Sequence, residues 1–162
     1  MKITKACQAD FEQIINIENT CFPPNEAASP EAMRKRIEII SDTFLVALDD
    51  GEVLGYIVGP VTNSRYIDDE LFEKVIPNRI GLSTQTILSL AVAPKAQGKG
   101  VATALLNELA KVSRAQGREI ISLTCLEKLK PYYKAHGYVD EGISESVHGG
   151  EVWYNMTFNL NN

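Results

Sequence analysis

The stretch from Ile87 to Leu106 constrains the fold more than any other part of this chain. An apolar run, Ile87-Leu88-Ser89-Leu90-Ala91-Val92-Ala93, passes through Pro94 into Lys95-Ala96-Gln97-Gly98-Lys99-Gly100-Val101-Ala102 and on to Thr103-Ala104-Leu105-Leu106. This order predicts a buried strand, a glycine-bearing loop and the start of an amphipathic helix. The first N–H groups of such a helix have no intrahelical acceptor, and the aligned peptide dipoles leave partial positive charge at that end. Gly98 and Gly100 tolerate dihedrals closed to other residues and let the backbone approach a ligand, while Lys95 and Lys99 add positive charge. The loop therefore predicts a cradle for an anion of the diphosphate kind.

Two nucleotide readings are weakened by what the loop lacks. A dinucleotide fold wants a third glycine where Thr103 stands. A P-loop ends in Gly-Lys-Ser/Thr, which Gly98-Lys99-Gly100 does not supply. The segment resembles instead the acyl-CoA loop of the GNAT N-acetyltransferases, Gln/Arg-x-x-Gly-x-Gly/Ala between a strand and a long helix. Lys95-Ala96-Gln97-Gly98-Lys99-Gly100 matches it with lysine in first place, and Gln97-Gly98-Lys99-Gly100-Val101-Ala102 matches it literally. Lys95 is a departure that keeps a charge and loses a planar set of donors. Two later segments continue the likeness: Ile120-Ile121-Ser122-Leu123-Thr124-Cys125 as the next strand, and Leu129-Lys130-Pro131-Tyr132-Tyr133-Lys134-Ala135-His136-Gly137-Tyr138 as the tyrosine-bearing segment after it. Cys21-Phe22-Pro23 with Glu26-Ala27-Ala28-Ser29 is similar to the arylalkylamine N-acetyltransferases.

The resemblance implies one α/β (α+β) domain over residues 1–162. Its mixed, mostly antiparallel central sheet has about seven strands, is flanked by about four helices, and splays at the cofactor strand. It implies acetyl-CoA as cosubstrate, held by the backbone of Leu90, Ala91 and Val92 and by Gln97, Gly98, Lys99, Gly100, Val101, Ala102 and Thr103, with no metal. Acetyl transfer to an amine needs the amine deprotonated, donors for the oxyanion and a proton for the departing thiolate. The resemblance gives the last role to Tyr133 and the oxyanion donors to the Leu90–Val92 backbone. It places Phe22, Pro23 and Leu88 around the acceptor, which suggests a primary amine with an apolar or aromatic body. Vertebrate arylalkylamine enzymes carry two histidines where Thr86 and Leu88 stand here, so water or an unidentified carboxylate has to take the proton. The rival enzyme readings are a protein N-terminal or a polyamine acetyltransferase. From another class, a CoA-binding regulatory module without turnover fits the same loop.

Composition sets limits. The 162 residues are enough for one domain with a real core. No apolar run is long enough to cross a bilayer, and Met1-Lys2-Ile3-Thr4-Lys5 lacks a signal-peptide core, so a cytoplasmic protein away from membranes is expected. Cys7, Cys21 and Cys125 are odd in number and widely spaced, which suits neither a disulfide scaffold nor a zinc site. A net charge of −5 argues against a nucleic-acid partner. A monomer and a homodimer both stay open.

Along the chain, strands are predicted at Lys2–Ala6, Thr43–Leu48, Glu52–Val61, Thr86–Ala93, Ile120–Cys125, Tyr138–Ser144 and Glu151–Phe158. Helices are predicted at Ala9–Cys21, from Ser29-Pro30 to about Ile40, at Gly98–Gln116 before Gly117, and at Lys128–His136, with a short one over Asp68–Val75. Asp49-Asp50-Gly51 predicts a hairpin turn. Arg34-Lys35-Arg36 reads as a solvated face, Cys125 as packing, His136 as a helix C-terminal cation, and His148 as a neighbour of the Gly149-Gly150 turn.

Overall fold

The computed structural model describes residues 1–161. Its strands are β1 (Lys2–Lys5), β2 (Phe44–Asp49), β3 (Glu52–Val58), β4 (Val61–Thr62), β5 (Thr84–Ile87), β6 (Ser89–Val92), β7 (Ile120–Cys125), β8 (Val139–Ile143) and β9 (Tyr154–Asn159). Its helices are α1 (Phe11–Cys21), α2 (Pro30–Ile39), α3 (Val101–Ala115) and α4 (Lys130–Ala135). The fold class and the four helices are those expected. Among the described residues the strands number nine instead of about seven, because two predicted runs each break in the middle.

Both breaks occur at one level of the sheet. Glu52–Val61 is interrupted by Gly59-Pro60, where proline offers no ladder N–H. Thr86–Ala93 is interrupted at Leu88, whose N–H donates to the Val58 carbonyl at 2.8 Å although Ser89 is the register partner of Val58. Two residues thus face one, which is a β-bulge. As a result β1-β2-β3-β6 form one sheet, entirely antiparallel, and β4-β5-β7-β9-β8 form another, in which only β5 and β7 run parallel.

Local signals fix the helices that flank these sheets. The Ser29 hydroxyl accepts from the Ala32 N–H at 3.1 Å, and Pro30 opens α2 where no N–H is needed. Gly100, with φ of +83°, caps the start of α3, and Gly117 ends it with φ of +76°. The predicted short helix over Asp68–Val75 is a single 3-10 turn at Asp69–Phe72.

Strand alternation then makes two cores. Phe44 and Val46 of β2 face Ile14, Ile17, Met33 and Ile37 of α1 and α2. Leu45 and Ala47 point the other way, toward Leu105 and Leu109 of α3, with Ile121 and Leu123 of β7 in the same cluster. Gly59 sits at the switch between sheets, and a Cβ there would lie 1.9 Å from the Thr86 carbonyl oxygen. Gly59→Ala is expected to cost ~3 kcal/mol through overpacking against backbone that cannot yield. Urea denaturation checks it, and a change within about 0.5 kcal/mol, the scatter of surface substitutions, would contradict this account of the switch.

Candidate active site

The bulge opens the site. The Ala93 N–H donates to the Leu54 carbonyl at 2.8 Å, and Ala91 pairs with Tyr56 in the same register. By alternation, Leu90 and Val92 turn their N–H and C=O groups away from β3. The Val92 carbonyl accordingly accepts from Gln97 Nε2 at 3.1 Å and from the Cys21 thiol at 3.4 Å. β6 ends its sheet, and β7 pairs in parallel only with β5, as far as Leu123. A wedge therefore opens between Leu90–Val92 and Thr124–Cys125. Of the three backbone residues expected there, Leu90 and Val92 face it, whereas Ala91 is spent on β3.

Beyond the end of β6 lies the loop expected to cradle an anion. Gly98 and Gly100 have φ of +76° and +83°, and nothing approaches within 4 Å of where their Cβ atoms would stand. Only glycine takes this backbone without strain, and the space beyond it is open. Val101 buries its side chain in the core, so its contribution to the loop is its N–H. Ala102 is half-buried, and Lys99 is exposed. Thr103 Oγ1 stands 3.0 Å from His136 Nε2, while His136 Nδ1 lies 2.9 Å from the Tyr132 carbonyl. The carbonyl partner places a hydrogen on Nδ1. Lys95 is paired with Glu52, so its charge is directed away from the loop.

The wedge continues into a cleft of about 680 Å³ lined by Phe22, Leu88, Leu90, Cys125 and Tyr133, among others. Phe22, Leu88 and Tyr133, placed together by sequence, meet here. Pro23 does not line the cleft; it is exposed, and its carbonyl accepts from the Glu26 and Ala27 N–H groups, both at 2.9 Å. That role shapes the loop and corrects the expected contact. Thr86 is fully buried, its hydroxyl donating to the Pro60 carbonyl at 2.7 Å, so it holds the sheet switch and does not reach the cleft.

Tyr133 is 8% exposed and packs edge-on against Tyr138, with ring centroids 5.7 Å apart. Burial, then the nearby Cys125 and Tyr132, push its phenol above the ordinary range, so it stays protonated. Cys125 is pushed up to about 11, first by burial and then by Asp140, which leaves it a thiol at neutral pH.

The cleft also gathers residues that sequence reasoning assigned elsewhere or passed over. His148 stacks on Phe72 with centroids 4.4 Å apart, and its Nε2 lies 3.0 Å from the Glu26 carbonyl. Trp153 donates to the His148 carbonyl at 2.7 Å, completing an aromatic wall. Glu18, 1% exposed, accepts from the Tyr56 hydroxyl and from the Ala28 N–H, the latter at 2.9 Å. Arg36 is not part of a solvated face: it is 1% exposed and donates through Nη2 to the Phe72 carbonyl at 3.1 Å.

Comparison with known proteins agrees with this geometry. Residues 11–138 match the acetyltransferase (GNAT) family. The chain is 30% identical over 118 residues to acetyltransferase plu1384 of Photorhabdus laumondii subsp. laumondii, covering 72% of this chain and 69% of that one. The loading GNATL domain of CurA from Lyngbya majuscula superposes with a TM-score of 0.82 at 12% identity, over 99% of this chain and 98% of that one. An aminoglycoside 6′-N-acetyltransferase complexed with coenzyme A superposes with a TM-score of 0.72 at 16% identity, over 99% and 97%. With the sequence match spanning most of the domain and the splayed sheet, glycine loop and tyrosine-bearing cleft all in place, the chain belongs to the GNAT acetyltransferase family.

Proposed function

We propose that this acetyltransferase moves the acetyl group of acetyl-CoA onto the primary amine of a small molecule with an apolar or aromatic body, arylalkylamine-like, by direct attack in a ternary complex. The observation that carries the reading is the continuity of three features: the open glycine loop, the β6 edge at Leu90 and Val92 that no strand pairs with, and the cleft that holds Tyr133. A diphosphate at the N–H groups from Gly98 to Thr103 directs an extended pantetheine arm along the β6 edge. The arm can then pair with that edge as an added strand would. Its thioester end reaches the cleft beside Tyr133.

The chemistry follows from what the cleft offers. The ammonium gives a proton to a carboxylate, and Glu18 is the buried one available. The freed nitrogen lone pair attacks the thioester carbonyl, and the oxyanion takes the outward N–H of Leu90. Collapse breaks the C–S bond and leaves the electron pair on sulfur. Tyr133 supplies a hydrogen bond and then a proton to that sulfur. Because burial makes this phenol a weak acid, full transfer is uphill unless the phenolate is refilled, which the proton still on the new amide nitrogen does. The proton on Glu18 leaves to solvent, and the net products are amide, CoA thiol and one proton.

Phe22, Phe72 and Trp153 support an acceptor with an apolar or aromatic body, since all three line the cleft. Tyr133→Phe is expected to lower kcat by about 100-fold, the scale of a lost proton donor, while acetyl-CoA binding measured by calorimetry is retained. Equal kcat would remove Tyr133 from the mechanism. Gly100→Glu places bulk and negative charge at the loop in a left-handed conformation. It should weaken acetyl-CoA by at least about tenfold in calorimetry with the fold intact by circular dichroism. Cys125, with its thiol held up at about 11, should resist iodoacetamide at pH 8 while exposed Cys7 reacts. Incubation with acetyl-CoA alone should leave no acetylated chain in mass spectrometry; an acetyl-cysteine would replace direct attack with a two-step route.

A further inference from the structure

Two opposite charges are buried in the acceptor cleft without meeting. Glu18 and Arg36 are each 1% exposed and both line the cleft. They feel one another electrostatically, yet among the described residues they form no ion pair. Third parties hold each in place: the Tyr56 hydroxyl and the Ala28 N–H bind Glu18, and the Phe72 carbonyl takes one Arg36 donor. Arg36 Nε and Nη1 have no partner among the described residues. A guanidinium stays charged in a protein, and leaving its buried N–H groups unmet is costly, so a site that keeps them free is arranged for an acceptor from outside.

Other charges line the cleft, Glu26 and Glu73 among them, and among the described residues none forms an ion pair with Arg36. Lys35 pairs with Glu31 at 3.2 Å on the exposed side of α2. Asp69 is spent on the Ser146 hydroxyl and on the Val147 N–H at 3.0 Å. Arg36 thus lines the cleft with two buried donors, Nε and Nη1, that no described residue meets, and Glu18 is the buried carboxylate whose charge it feels. A ligand that carries both an ammonium and a carboxylate satisfies both.

We infer that the acceptor amine carries a carboxylate, as an α-amino acid does, with Glu18 receiving its ammonium and Arg36 its carboxylate. The inference rests on the acetyl-transfer reading and narrows its acceptor. The neighbouring Phe22, Phe72 and Trp153 leave room for an apolar or aromatic side chain. A planar fork with several donors suits a carboxylate better than a point charge does.

Matched acceptors test it on the whole chain with release of free CoA as the signal. Phenylalanine, methionine, leucine and lysine are each compared with the corresponding amine lacking the carboxylate and with the amino-acid amide. The wild type is expected to favour at least one acid over both counterparts by at least about tenfold in kcat/KM, the scale of a charge-assisted contact. Arg36→Lys keeps the charge and loses the fork, and should reduce that ratio to about twofold or less. A purely structural role for Arg36 would lower all three acceptors together and leave the ratio intact, which overturns the assignment. Equal or better turnover of the decarboxylated amines or amides by the wild type overturns it without any variant. Failure of every amine, with acetyl-CoA still bound in calorimetry, overturns the transfer reading itself and the inference with it.

Discussion

The architecture hangs on one irregular contact, the bulge at which Leu88 and Ser89 both face Val58. A regular ladder there would carry β6 on beside β7 and close the sheet. Instead the chain passes from one sheet to the other within a single residue, while Gly59-Pro60 carries its neighbour across at the same level. Thr86 braces the crossing through two contacts to the Pro60 carbonyl, from its N–H at 3.1 Å and its hydroxyl at 2.7 Å. Backbone groups left out of the ladder are met by side chains, as at the Val92 carbonyl, by water, or by a polar ligand. The amide-bearing arm of CoA is such a ligand.

The second determinant is polar and buried. Glu18 of α1 is tied to the sheet by the Tyr56 hydroxyl of β3, and Arg36 of α2 is tied through Nη2 to the Phe72 carbonyl at the end of the 3-10 turn. Burial pushes Tyr56 well above the ordinary phenol range, with Glu18 adding to the effect, and pushes Arg36 down, with Glu18 opposing. Charged groups in such a position normally give way to apolar ones unless they have a partner or a task. Here Glu18 and Arg36 both sit on the wall of the cleft.

Much of this was legible in local pattern. Gly98 and Gly100 marked the loop, Ser29-Pro30 marked the start of α2, and Tyr133 was placed by the segment around it. Glu18 and Arg36 also had a signal that the reading passed over. Glu18 follows Phe11 and Ile14 at helical spacing, and Arg36 lies with Met33, Ile37 and Ile40 on one face. A charge on an apolar stripe is a buried charge, whatever run of basic residues surrounds it. Phe72 and Trp153 fell in a predicted helix and a predicted strand that the structure replaces with a 3-10 turn and with the connection before β9, and His148 lies in that same connection, so none of the three had such a signal.

The sequence by itself determined most of the elements and the glycine loop, because caps, glycine conformations and hydrophobic period act over a few neighbouring residues. It also contained the tyrosine and the absence of a histidine pair at Thr86 and Leu88. Only the tertiary structure decided that the run from Thr86 to Ala93 divides between two sheets, that Ala91 turns inward while Leu90 and Val92 turn outward, and that Lys95 is drawn off to Glu52. It alone brought Glu18, Arg36 and the aromatic wall to one cleft. These outcomes depend on strand register and on long-range pairing, where moving one residue reverses which face each side chain and each peptide group presents.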